Sequence, residues 1–131
     1  VLIVSNEHPL AKNESVDLTE VASYPFIGFS EKSGIRSIIQ DLFKEVNIVP
    51  NTICEVEEDN AVAGLVEINY GIAVVPRISS LKYYNVKVLP IINSEHERFI
   101  YLATLKNRYL TPSVNLFKKY SLEYSKKLLN K

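Results

Sequence analysis

Apolar positions recur at two different spacings along the chain, and the switches between period 2 and period 3.6 predict interleaved strands and helices. Leu2-Ile3-Val4 belongs to a strand over residues 1–5, which His8-Pro9 and the polar stretch to Ser15 bring to an end. A short helix near 17–22 follows, with Ser15 and Asp17 as candidate N-caps. After the break at Tyr24-Pro25, residues 26–29 read as a second, buried strand. Ile35, Ile38, Ile39, Leu42, Phe43 and Val46 then form one helical stripe over residues 35–46, opened by Ser33-Gly34 and stopped by Asn47-Ile48-Val49-Pro50. Residues 52–56 are the next strand, and Asp59 is the expected N-cap of a helix that carries Val62, Leu65 and Val66 to about Asn69. Gly71 is its expected C-terminal signal, taking a left-handed conformation. The unbroken run Ile72-Ala73-Val74-Val75 suits a strand covered on both faces in a largely parallel sheet. Downstream lie a helical turn at 78–83 and strands at 86–89 and 99–105. A last helix opens at Thr111-Pro112 and carries Val114, Leu116, Phe117, Tyr120, Leu128 and Leu129. The fold class is mixed α/β.

With 131 residues, 47% hydrophobic and 23% charged, the chain can bury a core and is neither disordered nor fibrous in composition. No apolar run approaches the roughly 20 residues of a membrane-spanning helix, so no membrane partner is expected. The single cysteine, Cys54, excludes an internal disulfide and any multi-cysteine metal site. Val1 stands in a strand already under way, so the chain reads as a piece of something longer, and no secretion signal is visible in it.

The net charge of zero hides a gradient: residues 1–60 carry −7, residues 61–103 carry +1 and residues 104–131 carry +6. Lys118-Lys119 and Lys126-Lys127 in the basic tail are spaced as the wet side of one helix. The chain alone is therefore expected to bind no DNA specifically.

Few residues invite chemistry. His8 and His96 occupy polar, turn-like contexts, with no nucleophile elbow nearby, so both read as turn or surface histidines and no catalytic residue is expected. Cys54 reads as a buried, inert thiol. Glu55 and Glu57 share a strand face beside Glu58 and Asp59, yet the calcium-loop spacing is missing. A solvated face with an N-cap is the expected reading, with no metal. No glycine loop marks a nucleotide cofactor, and none is expected. The best anion candidate is the strand-to-helix passage from Gly28 to Arg36. There, free N–H groups and the helix dipole attract negative charge, and Lys32 and Arg36 would add to it. Capping of the helix by Ser33 accounts for the same residues.

The order of motifs resembles the effector-binding domain of LysR-type transcriptional regulators. The residues that carry it are Leu2-Ile3-Val4, His8-Pro9-Leu10-Ala11, Val16-Asp17-Leu18, Tyr24-Pro25-Phe26-Ile27, the helix 35–46 ending near Pro50, Glu55-Val56, Gly64-Leu65-Val66, Tyr70-Gly71-Ile72-Ala73-Val74-Val75-Pro76 and Leu110-Thr111-Pro112. The series spans residues 2 to about 117. One departure is Ile68-Asn69-Tyr70-Gly71, where the family often has Ala-Gly-Leu-Gly.

The resemblance implies a type II periplasmic-binding-protein-like fold, two α/β lobes joined by crossover strands, with a small molecule held in the cleft. Residues 12–88 would form the complete second lobe. Residues 1–5 and 98–131 would form the hinge and the returning part of the first lobe, the rest of which is absent together with the DNA-binding helix-turn-helix. The ligand residues it implies are Ser30, Ser33, Gly34 and Ile35 in one loop, and Asp59 and Asn60 in a second. Its implied partners are a small-molecule effector, for which an anion suits the first loop, and a second copy of the chain in a homodimer or larger homo-oligomer. DNA would be reached only through the absent domain. The implied setting is cytoplasmic. Part of the wide apolar stripe of helix 35–46 is expected at the dimer contact, with the strand that follows it. The alternatives are a solute-binding protein of a transport system with the same fold, and an enzyme of the prephenate dehydratase kind, whose Thr-Arg-Phe motif the chain does not have.

Overall fold

The computed structural model describes residues 1–93 and 99–129. His96 and the side chains of Leu128 and Leu129 lie outside the described residues. The chain divides into two units, Val1–Glu97 and Arg98–Lys131.

The first unit is built around β1 (Leu2–Ser5), in which Leu2, Ile3 and Val4 are wholly buried. A strand without a solvent face must be covered on both sides and paired on both edges. β1 is hydrogen-bonded antiparallel to β4 (Ala73–Val74) on one edge and to β5 (Val86–Leu89) on the other. β2 (Pro25–Phe29) and β3 (Asn51–Val56) form a parallel pair. Ile72 joins the two sheets, bridging Phe26 in parallel just before β4 pairs with β1. The largely parallel setting expected for residues 72–75 is thus corrected. The run is a crossing point, parallel at Ile72 and antiparallel at Ala73-Val74, because a continuous apolar run encodes burial but not the direction of its neighbours.

Two helices cover the sheets. α1 (Arg36–Glu45) buries Ile39, Leu42 and Phe43, and the Phe43 ring meets Phe26 edge-on at 5.2 Å. α2 (Asp59–Glu67) buries Val62, Ala63 and Val66 and packs on β1, β2, β4 and β5. Both end in the same way. Asn47 and Asn69 adopt left-handed φ angles of 54° and 59°. In each case the next amide reaches back five residues, Ile48 N–H to the Phe43 carbonyl and Tyr70 N–H to the Leu65 carbonyl. The left-handed role expected of Gly71 is therefore filled by Asn69, and Gly71 serves close packing instead.

The expected N-caps divide. Asp17 closes a full capping box on the 3-10 turn Leu18–Ser23, accepting from Thr19 N–H while Glu20 accepts from its own N–H. Ser33 and Asp59 do not cap. Ile35 stands before α1 in an αR conformation with no side-chain bond, and Asp59 is itself the first residue of α2, after Glu58. A capping side chain needs an extended backbone one step before the helix, and neither residue occupies that step.

His8 is a turn histidine, but a buried one. Its Nδ1 accepts the Leu10 N–H at 3.2 Å and its ring stands edge-on to Tyr24 at 4.6 Å. Burial holds its pKa below the usual imidazole value, so the neutral ring is the folded form. The contribution of His8 to stability is complete above the unfolded-state pKa of about 6.5 and is lost as pH falls through the lower folded value. Chemical denaturation should show this loss below about pH 6.5. His8→Asn, which keeps a side-chain acceptor, should flatten that part of the profile; an unchanged slope would remove His8 as its source.

In the second unit α3 (Pro112–Leu129) is the regular element, and Val114, Leu116, Phe117 and Tyr120 are exposed on it. The strand expected at 99–105 does not form. Its apolar run is present, but no other strand exists among the described residues of this unit to complete its hydrogen bonds. No described helix is long and apolar enough to cross a membrane.

Candidate functional site

The parallel arrangement of β2, β3 and the Ile72 bridge brings three strand ends to one edge of the first unit. Such an edge collects loops whose backbone groups have no sheet partner. Ser30 follows β2 directly, and its N–H donates to the Val56 carbonyl at the end of β3. Two tight turns follow, Ser33 N–H to the Ser30 carbonyl and Arg36 N–H to the Ser33 carbonyl, and they deliver the chain into α1. Beyond Val56, Glu57 and Glu58 lead into α2, so Asp59 and Asn60 open at the same edge. The two loops singled out by sequence are adjacent through the Ser30 to Val56 bond.

Their details differ from expectation in charge. Lys32 pairs with Glu57 at 3.3 Å and Arg36 with Glu55 at 2.7 Å. Arg36 also donates to the Phe29 carbonyl at 2.6 Å. The positive charge expected from Lys32 and Arg36 is thus paired within the first unit. The pairs are set by the β2–β3 register, which brings together charges far apart in sequence, Lys32 with Glu57 and Arg36 with Glu55, and no local charge pattern reveals that. Arg36 and Glu55 moreover line a different feature, a groove of about 370 Å³ between α1 and the β2–β3 pair, floored by Phe26, Ile39 and Phe43. Of the four acids that raised the metal reading, Glu55 and Glu57 are spent on these pairs, and among the described residues no group of three potential ligands comes together. Cys54 is half-buried on β3, and burial pushes its thiol pKa up, away from the reactive thiolate.

What remains at the edge is hydrogen-bonding capacity. The Ser30 hydroxyl oxygen is buried and has no hydrogen-bond partner among the described residues. Such a group is costly unless something meets it. Gly34 has open space around it, with no atom within 4 Å of where a Cβ would stand. Ser33 and Ile35 are half-buried beside it. Arg77, exposed just past Pro76, borders a separate groove with Ser79, Tyr84 and Val86.

This architecture has relatives. The chain is 33% identical over 123 residues to an uncharacterized HTH-type transcriptional regulator, YybE, of Bacillus subtilis, covering 94% of this chain and 42% of that protein. It is 30% identical to the transcriptional dual regulator GltC of the same organism, covering 96% of this chain and 43% of that protein. It thus spans about two fifths of the length of the curated relatives it matches. Among solved structures, the effector binding domain of QuiR in complex with shikimate superposes with a TM-score of 0.89 at 53% identity, covering 97% of this chain and 61% of that one. These relatives are transcriptional regulators, and a type II periplasmic-binding-protein-like fold accords with the sheet and helix order described above. Residues 1–126 match the model of the LysR substrate binding domain, and the chain belongs to that family.

Proposed function

We propose that this chain is the larger part of the effector-sensing domain of a LysR-type regulator, and that its effector is a small hydroxylated carboxylate of the shikimate kind. The observation that carries the reading is 53% identity over 97% of the chain to a domain whose structure holds shikimate. The buried, unpartnered Ser30 hydroxyl at the loop edge supports it, since a polyhydroxylated ligand can satisfy that oxygen. In this reading residues 12–88 form the second lobe, and residues 1–5 with 98–131 form the hinge and the returning part of the first. Ser30, Ser33, Gly34, Ile35, Asp59 and Asn60 line the second-lobe half of the cleft. The protein is cytoplasmic and catalyses nothing; it responds because the effector binds two states of the regulator unequally. DNA is reached through a separate domain. Two copies associate through α1 and β3, where the groove floored by Phe26, Ile39 and Phe43 and the exposed Val49 offer apolar surface.

Calorimetric titration of shikimate into a two-lobed domain that joins this chain to its first-lobe segment tests the reading. Saturable binding at one site per domain is expected. No heat and no thermal stabilisation at millimolar shikimate would sink it.

A further inference from the structure

We propose that the groove between the 3-10 turn Ser79–Tyr83 and β5 is a second ligand site, separate from the loops at the strand ends, and that it takes an amphipathic monocarboxylate, an aromatic or branched apolar body ending in one carboxylate. One short stretch of chain builds the groove. After the β4 run the backbone turns twice, Leu81 N–H donating to the Ile78 carbonyl at 3.3 Å and Tyr84 N–H to the Leu81 carbonyl at 3.2 Å. It then returns as β5, which is fixed along β1. The space beside turn and strand is about 530 Å³, a volume ordinary for small-molecule sites. None of its lining residues belongs to the loops that carry Ser30, Ser33, Gly34, Asp59 and Asn60.

The lining offers two kinds of chemistry. Ile78, Tyr84, Val86 and Val88 are only half-buried, so apolar surface stays open along the groove. With them stand two cations, Arg77 and Lys82, and the Ser79 hydroxyl, while no acid is among the lining residues. The groove beside α1 supplies the contrast, since there Arg36 is matched by Glu55 in the same lining and Lys44 is matched by Asp41. Neither Arg77 nor Lys82 takes part in the ion pairs of the described residues. Lys82 lies instead over the exposed Tyr83 ring at 5.0 Å, a contact that leaves its charge without a counter-ion. A lining that holds cations and no acid favours an anion, and the arginine fork is matched to a planar carboxylate. Phosphate or sulfate would leave the apolar surface uncovered, and a neutral apolar ligand would leave the cations unused. A carboxylate on an apolar body answers both.

The probe is phenylpropionate, set against phenylpropanol, its neutral counterpart, each titrated into the two-lobed domain while backbone amide resonances are followed by NMR. Phenylpropionate should shift the amides of Ile78, Ser79, Val86 and Val88 saturably, and the alcohol should bind there more weakly. Replacing both cations, Arg77→Gln with Lys82→Gln, should lower phenylpropionate affinity roughly three- to tenfold and leave that of the alcohol unchanged. Both cations are exposed, so the fold should survive the change. Saturating shikimate, or Gly34→Trp, should leave phenylpropionate binding as it is, because the two sites share no residue; the outcome therefore stands apart from the shikimate reading. The proposal would be overturned by the absence of a saturable shift between Ile78 and Val88 at millimolar phenylpropionate, by equal losses for acid and alcohol in the double variant, or by shifts confined to residues 30–35 and 59–60.

Discussion

Gly71→Val should destabilise the first unit by about 2–4 kcal/mol, a large share of the stability of an ordinary domain. A Cβ at position 71 would stand 2.8 Å from the Pro25 carbonyl oxygen and 3.2 Å from Ile27 Cγ1. The first of these neighbours is backbone, and it is engaged: the same carbonyl accepts the Ile72 N–H at 2.9 Å. Moving it away breaks one of the two hydrogen bonds by which Ile72 ties β2 to the β4 run. The clash therefore costs overpacking and a buried hydrogen bond together. Gly64 supplies the contrast. It lies within α2 with nothing inside 4 Å of its missing Cβ, so Gly64→Ala should gain about 0.5–1 kcal/mol from helix propensity alone. Urea denaturation of both variants checks the pair, and equal effects in the same direction would refute the packing argument.

The second large effect is on binding. Gly34→Trp should leave the fold within about 0.5 kcal/mol of wild type, because the position is exposed, has open space around it and has no left-handed φ to strain. The indole would nevertheless fill the space between the Ser30–Ser33 turn and the opening of α2. Shikimate affinity should fall by roughly a hundredfold or more, equivalent to about 2.7 kcal/mol. Calorimetry on the two-lobed domain, with thermal melts to establish folding, separates the two consequences. Undiminished affinity in a folded Gly34→Trp domain would place the ligand elsewhere.

These predictions draw on features that were legible in the sequence to different degrees. The strands and helices of the first unit fall within one or two residues of their expected bounds, because burial of one face imposes its period on the chain. The α1 stripe is the clearest case, with Ile39, Leu42 and Phe43 buried at its centre. Features that depend on a distant neighbour were not legible. The apolar run at 72–75 announced a buried strand, but its pairing with β1 comes from residues seventy positions earlier. Asn69 and Gly71 are both capable of left-handed geometry, and the Pro25 backbone decides which of them needs to be small. In the candidate site, the first loop was legible from its place between strand and helix and the second only from the family resemblance, whereas the neutralisation of Lys32 and Arg36 follows from the β2–β3 pairing. Residues 99–105 carry a strand's pattern, and a pattern without a partner edge does not make a strand.

The position of β1 also has a consequence in time. The central strand of the first unit is its first segment, and its two neighbours are residues 73–74 and 86–89. On the ribosome, at roughly 5–20 residues per second, the segment Leu2-Ile3-Val4 waits on the order of 4–20 s before Leu89 exists to pair with Leu2. Both edges of this apolar segment lack these partners until residues 73–74 are made, and the edge that β5 takes lacks its partner until Leu89, the state most prone to pair with another chain. The β2–β3 pair and α1, by contrast, are complete by residue 56 and need nothing from β1 to begin. Synthesis thus assembles this unit from its rim inward, and the core strand, made first, is the last to be locked.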